Sequence, residues 1–264
     1  MNPFLEVAIE AAREAGAILR AECDRPKNIS YKGEADLVTE SDHRSEKAIV
    51  TRLRRHFPDH AIVAEEGSSG AAAGAKYCWH IDPLDGTTNF AHGYPCFAVS
   101  IGLAVDGQPV TGVVFNPVSD ELFTAVRGEG AYLNGKPMHV STVEKLAQSL
   151  VATGFPTHQR KRSGNIFYYW EFTLRSHGVR RDGSAALDLC SVACGRFDGF
   201  WEFGLNSWDT GAGVLLIEEA GGRVSGLAGQ AYQLGGPDIL ASNGRIHDEM
   251  QQVAAVVAER AAKP

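Results

Sequence analysis

Asp82 and Asp85 stand three positions apart, on either side of Pro83, in the run HIDPLDGTTNF at residues 80–90. Carboxylates this close repel one another, so the arrangement costs stability unless a cation sits between them. Pro83 fixes its own φ and restrains the residue before it, which makes the turn stiff and presents both acids together. Gly86, Thr87 and Thr88 then open what reads as a short helix, whose free N–H groups and positive dipole end attract an anion. Hard carboxylate oxygens suit Mg²⁺, and Mg²⁺ neutralises phosphate oxygens, so the run points to phosphate bound through a metal. A tight turn with a surface aspartate pair is the plainer alternative, and the DG step alone would favour it.

Other acids have the same dual reading. Glu65 and Glu66 end the apolar run AIVAEEG beside a small-residue loop, EGSSGAAAGAK at residues 66–76, where a carboxylate can reach a metal without rigid strain. With 32 acids in the chain, such a pair is weak by itself and, taken alone, reads as solvated surface rather than a metal site. In WEFGLNSWDTGAG, Ser207 is expected to cap a helix, with Asp209 in its first turn between Trp208 and the permissive Gly211 and Gly213. An acid there is ordinarily a dipole partner. Gly183 and Ser184 start another helix, and the small Ala185 and Ala186 suit either a tight pocket or close helix packing.

The elements that must position these residues follow from periodicity. Residues 1–23 read as an amphipathic helix, with acids among the first ten residues, and are neither a secretory signal nor a membrane span. LVTESDHRSEKAIVTRLRRHFPDH reads as a second helix: Thr39 and Asp42 form a capping pair, Ala48, Ile49 and Leu53 share a face, and Pro58 closes it. From Tyr77, β-rich runs separated by DG, NPVSD and NG turns predict a meander of antiparallel hairpins. Beyond about residue 141 the pattern alternates, with helices expected at 143–149, 184–194, 207–220 and 246–261 and short strands between them. An N-terminal α+β lobe, 1–140, and a C-terminal α/β lobe, 141–264, sharing a cleft are the organisation this implies.

Composition narrows the function classes. A net charge of −7 argues against a surface devoted to nucleic acid, and the run Arg52, Arg54, Arg55 reads as the solvated face of a helix. The five cysteines are odd in number and lack a C-x-x-C pair, which fits a reducing compartment, with the cytoplasm as the default. Cys190 and Cys194 read as core packing. His56 and His60 are separated by Pro58, which breaks the helix that would align them for zinc. His80 and His92 read as satisfied core or surface histidines.

Taken together, YKGEADLVTESD with Lys32, VAEEG with Glu65, IDPLDGTTNF, GSAALDLC, Glu202 and WDTGAGVLLIEEAGG resemble the inositol monophosphatase family across nearly the whole chain. The resemblance implies a layered α-β-α-β-α sandwich of the sugar-phosphatase type. It implies that Glu65, Asp82 and the Leu84 carbonyl hold one Mg²⁺ and that Asp82, Asp85 and Asp209 hold a second, with Glu65 facing a third, looser ion. Glu65, or the pair Asp42 and Thr87, would take the proton of a metal-activated water, while Gly86 and Thr87 bind phosphate. Asp85, Ala185, Glu202 and Asp209 would contact substrate, with Gly183 and Ser184 adjacent. The implied activity is hydrolysis of inositol monophosphate to myo-inositol and phosphate, with lithium inhibition and a homodimer as family traits. Fructose bisphosphate, histidinol phosphate and nucleotide or dinucleotide phosphates are the alternative substrates, because the catalytic acids touch only the phosphate they share. From another class comes a regulatory protein that binds the transcription machinery.

Overall fold

The computed structural model describes residues 2–23, 25, 29–31, 37–67, 74–155 and 164–261. Lys32, the centre of the loop after Glu66 and residues 156–163 lie outside these. Helix α1 (Pro3–Glu22) starts on Asn2, whose side chain accepts from the N–H groups of Phe4 and Leu5, and it buries Val7, Ala8, Ala11, Ala12, Ala15 and Leu19. A short ribbon pairs β1 (Ile29–Tyr31) antiparallel with β2 (Leu37–Thr39). Helix α2 (Glu40–His56) opens on the predicted Thr39–Asp42 capping box. Its Arg52 is engaged by Glu10 and Glu14 of α1, and Arg54 and Arg55 face solvent, as the plain reading of that basic run required.

The first sheet has seven strands in sequential order. β3 (Ala61–Ala64) lies parallel to β4 (Tyr77–Asp85), and α3 (Thr87–Ala91) follows directly. The rest is the expected meander: β5 (Ala98–Val105), β6 (Gln108–Asn116), β7 (Glu121–Val126), β8 (Gly130–Leu133) and β9 (Lys136–Pro137). Asp106 and Gly107, then Asn134 and Gly135, take positive φ at two hairpin tips, where paired left-handed residues match the strand twist.

The second sheet has five strands, in the order Gly178–Arg180, Leu150–Thr153, Gly199–Phe203, Asp238–Ser242 and Arg223–Ser225. Its elements are β10 (Leu150–Thr153), α4 (Asn165–Thr173), β11 (Gly178–Arg180), α5 (Ala185–Ala193), β12 (Gly199–Phe203), α6 (Ser207–Thr210), α7 (Gly213–Glu219), β13 (Arg223–Ser225), β14 (Asp238–Ser242) and α8 (His247–Ala261). β10 runs parallel to β11 and β12, whereas β14 is antiparallel to β12 and β13.

Three hydrophobic cores define five layers. One joins α1 and α2 to the first sheet through Leu53, Trp79, Ile81 and Val113. A second fills the space between the sheets, where α5 and α7 lie, through Leu189, Val192, Leu215 and Ile217. A third packs α4 and α8 on the outer face of the second sheet, where Phe172 stacks on Trp201 at 4.1 Å. This is the predicted α-β-α-β-α sandwich.

Several expectations need correction. The helix expected at 143–149 is only a 3-10 turn, Leu146–Gln148. Ser149 bonds back to the Leu146 carbonyl at 2.7 Å and Asp198 takes the Leu150 N–H at 2.6 Å, so side chains outcompete the helical ladder. The helix expected at 207–220 is two helices, broken where Gly211 and Ala212 press on the first sheet. Its cap is Asn206, not Ser207, and the Ser207 hydroxyl meets His80 Nδ1 at 2.9 Å instead. Helix α4 went unpredicted, because NIFYYWEF is aromatic on all sides and has no helical period to read. Among the described residues all five cysteines are free, and His60 accepts from Trp79 Nε1 at 3.1 Å while stacking on Tyr77.

Candidate functional site

The chain delivers its acids to one place by ending elements there. Strand β4 carries Asp82 opposite Ser100 and Asp85 opposite Ala98 of β5, so three residues span two and the extra residue turns both acids to the same side of the sheet. The Leu84 N–H donates to Asp82 Oδ1 at 2.9 Å, and Ser45 of α2 donates to the Pro83 carbonyl at 2.8 Å, so the turn is held from within and behind. Gly86 then takes φ +92°, and a Cβ there would approach the Cys96 carbonyl to 2.8 Å. Only glycine fits both conditions.

A cavity of about 190 Å³ opens above this turn. Glu65, Asp82, Leu84, Asp85, Gly86, Thr87, Gly183, Ser184, Ala185, Glu202 and Asp209 all line it. Of the residues singled out from sequence, Asp42 stands behind the wall: it is fully buried, and Thr87 Oγ1 lies 3.2 Å from its Oδ1. The other Asp42 oxygen accepts from the Thr39 N–H at 2.8 Å and its hydroxyl at 2.6 Å, so the capping box that starts α2 also aims Asp42 at Thr87.

Two helix starts from later in the chain complete the walls. Asp85 accepts from the Ser184 hydroxyl and, at 2.8 Å, from the Ala186 N–H at the head of α5. Asp209 accepts from the Asn206 N–H at 2.6 Å, the reciprocal half of the α6 capping box. Glu202, on β12, is buried over Gly154, where any side chain would overlap its carboxylate. Asn89 of α3 donates to the carbonyls of Cys96 and Asp182, each at 2.7 Å, and fixes the Gly183 turn to the acid loop.

Electrostatics register the crowding. Burial, then Glu65, Asp85 and Asp209, push the Asp82 carboxyl well above the usual carboxylate range. Burial also raises Asp85, to about 6, against the downward pull of its bonds from Ser184 and Ala186. Asp209 is raised by burial and by Asp85. Burial lowers His80 to about 4, so its ring is neutral against Ser207. Among the described residues no three acids are already closed around one point as a ligand set; they border a common cavity instead. Their chemistry still suits a hard divalent cation, since every donor is oxygen and each charge raises its neighbour's proton affinity.

Sequence reasoning missed Asp188, Arg181 and Asn89, which also line the cavity. Asp188 was legible, because it lies at helical spacing from Ser184 and Ala185 on a predicted helix. Arg181 and Asn89 had no periodicity to mark them.

The Inositol monophosphatase family model matches residues 1–261. The chain is 47% identical over 259 residues to an inositol-1-monophosphatase of Synechocystis, covering 97% of this chain and 90% of that protein. It is 46% identical over 250 residues to the Nus factor SuhB of Pseudomonas aeruginosa, covering 92% of each. The solved inositol monophosphatase of Anabaena superposes with a TM-score of 0.88 at 44% identity, covering 96% of this chain and 95% of that one. A Thermotoga maritima IMPase gives 0.88 at 35% identity, covering 97% and 98%.

Proposed function

The chain belongs to the inositol monophosphatase family, and from that premise we propose that it is a magnesium-dependent phosphomonoesterase hydrolysing inositol monophosphate to myo-inositol and phosphate. The observation that carries this reading is the shared cavity: four acids, Glu65, Asp82, Asp85 and Asp209, border it together with Ser184, Ala185 and Glu202. Glu65, Asp82, the Leu84 carbonyl, Asp85 and Asp209 would hold magnesium, which when bound neutralises phosphoryl oxygens and makes a water easier to deprotonate. Thr87 Oγ1 lies between the Leu84 carbonyl at 3.0 Å and Asp42 Oδ1 at 3.2 Å, so its single proton has two acceptors. Taking a water's proton, Thr87 passes its own to Asp42, whose second oxygen is held by Thr39. Gly86 and Thr87 at the start of α3 face the phosphate, and Glu202 accepts hydrogen bonds from the alcohol half.

Calorimetric titration with magnesium, paired with phosphate release from a panel of esters, tests the proposal. Heat of binding and turnover of inositol monophosphate are expected from the wild type, with both lost in Asp82→Asn. A hundredfold preference for histidinol phosphate, fructose bisphosphate or a nucleotide phosphate would overturn the substrate and keep the chemistry.

The likeness to a Nus factor favours a second reading, a regulatory role on the transcription machinery. Partner capture that survives Asp82→Asn would establish it. As family traits we include lithium inhibition and a homodimer, for which the exposed Ile166, Phe167, Trp170 and Leu174 around α4 offer an apolar surface. The five free cysteines support a cytoplasmic setting, and no described helix is long and apolar enough to cross a membrane.

A further inference from the structure

Asp188 lies in the first turn of α5, on the face that also carries Ser184 and Ala185, and lines the cavity with Glu202 and Gly183. It is 1% exposed, and its Oδ1 has no hydrogen-bond partner. The usual reasons for burying a carboxylate do not account for it. Ser184 already caps the helix, and among the described residues Asp188 forms no salt bridge. Its charge is opposed by Glu202, Asp182 and Asp85 and favoured by Arg181 alone. Burial first, then those acids, raise its carboxyl well above the usual carboxylate range, and the helix dipole is a smaller help than the penalty of burying its unpartnered oxygen.

A buried oxygen kept at such a cost calls for a donor supplied by something the cavity binds. A phosphate dianion cannot be that donor, since it carries no proton to donate. Hydroxyl groups can, because each brings one proton to a carboxylate oxygen. On the reading of the site given above, we infer that Asp188 is a specificity-determining residue. With Glu202 it accepts hydrogen bonds from neighbouring hydroxyls of the alcohol half, and so restricts good substrates to phosphate esters of polyols.

The test compares kcat and KM for inositol monophosphate and for nitrophenyl phosphate, which has no hydroxyl on its leaving group, in wild type, Asp188→Asn and Asp188→Ala, with thermal melts of each. Asp188→Ala is expected to lose roughly ten- to a hundredfold in kcat/KM on the inositol ester, mostly through KM. Nitrophenyl phosphate should stay within about twofold and the melting temperature should hold or rise, the signature of a residue kept for function against stability. Asp188→Asn keeps one acceptor oxygen and should fall between; being near-isosteric, it carries the comparison if the alanine variant does not fold. Equal losses on both esters, no loss on either, or a lowered melting temperature with both rates reduced would overturn the inference. A wild type idle on both esters would overturn the proposed function as well, which separates that failure from this one.

Discussion

Replacing Gly102 with alanine should damage the site from behind. Gly102 lies on β5, where an added Cβ would stand 2.6 Å from the Gly211 carbonyl carbon, 2.8 Å from the Ala212 nitrogen and 2.8 Å from the Gly211 carbonyl oxygen. Ordinary contact begins at 3.4 Å, so this backbone must retreat by about 0.8 Å. Neither side can give cheaply: Gly102 sits in the middle of a seven-stranded sheet, and Thr210, just before the contact, is fully buried and bonded to Tyr232 at 3.0 Å. Overpacking of this kind costs about 1–3 kcal/mol, which lowers Tm by roughly 2–4 °C per kcal/mol in a chain of this size. Asp209 lies two residues before Gly211, so the same retreat displaces its carboxylate. A misplacement near 1 Å costs on the order of a hundredfold in turnover. Gly112→Ala, whose Cβ would approach the Ala212 carbonyl oxygen to 2.9 Å, should show a milder version of both effects. Gly107→Ala, at a hairpin tip with φ +80° and open space around it, should lose stability by about 1 kcal/mol and keep its turnover. Melting curves and phosphate-release rates on the three variants decide the matter. Wild-type Tm and turnover in Gly102→Ala, or an equal loss of turnover in Gly107→Ala, would refute the claim that the first sheet sets the position of Asp209.

Acid sensitivity should trace to His247. This fully buried ring meets Ser225 Oγ at 2.8 Å and Ser242 Oγ at 2.9 Å, and burial lowers it from 6.5 to about 4. The unfolded chain takes up the proton first, so this contribution is complete above about pH 6.5 and is lost as pH falls toward 4, up to about 3 kcal/mol. Urea unfolding at a series of pH values should therefore slope less steeply for His247→Gln than for wild type, and parallel curves would contradict the assignment. Gly154→Ala should push the Glu202 carboxylate aside. Because that group is the far end of a side chain, KM for inositol monophosphate should rise severalfold with little change in Tm, and an unchanged KM would count against Glu202 as a substrate contact.

Much of this was legible because its signals are local. The Thr39–Asp42 capping pair, the DG and NG hairpin tips and the stiff Asp-Pro turn each fix their conformation within a few residues. Much of the cavity was legible, since Glu65, Asp82, Asp85 and Asp209 each end or begin a predicted element, whereas Asp188 sits inside one and was missed. What could not be read was set by contacts distant in sequence. The break in the 207–220 helix follows from Gly102 and Gly112 pressing on Ala212, a meeting about a hundred residues apart that no periodicity encodes. Likewise, the true α6 cap is Asn206 because Ser207 is drawn to His80, 127 residues away. Helix α4 hides in an aromatic run whose apolar positions follow no helical period.

Asp85 belongs to the first sheet, yet its carboxylate is held by Ser184 and Ala186, which head a helix of the middle layer. On the proposed function, neither half of the polypeptide is expected to finish the chemistry alone. Severed between the sheets, the fragments would each be inert, and recovered turnover would announce that they had found one another.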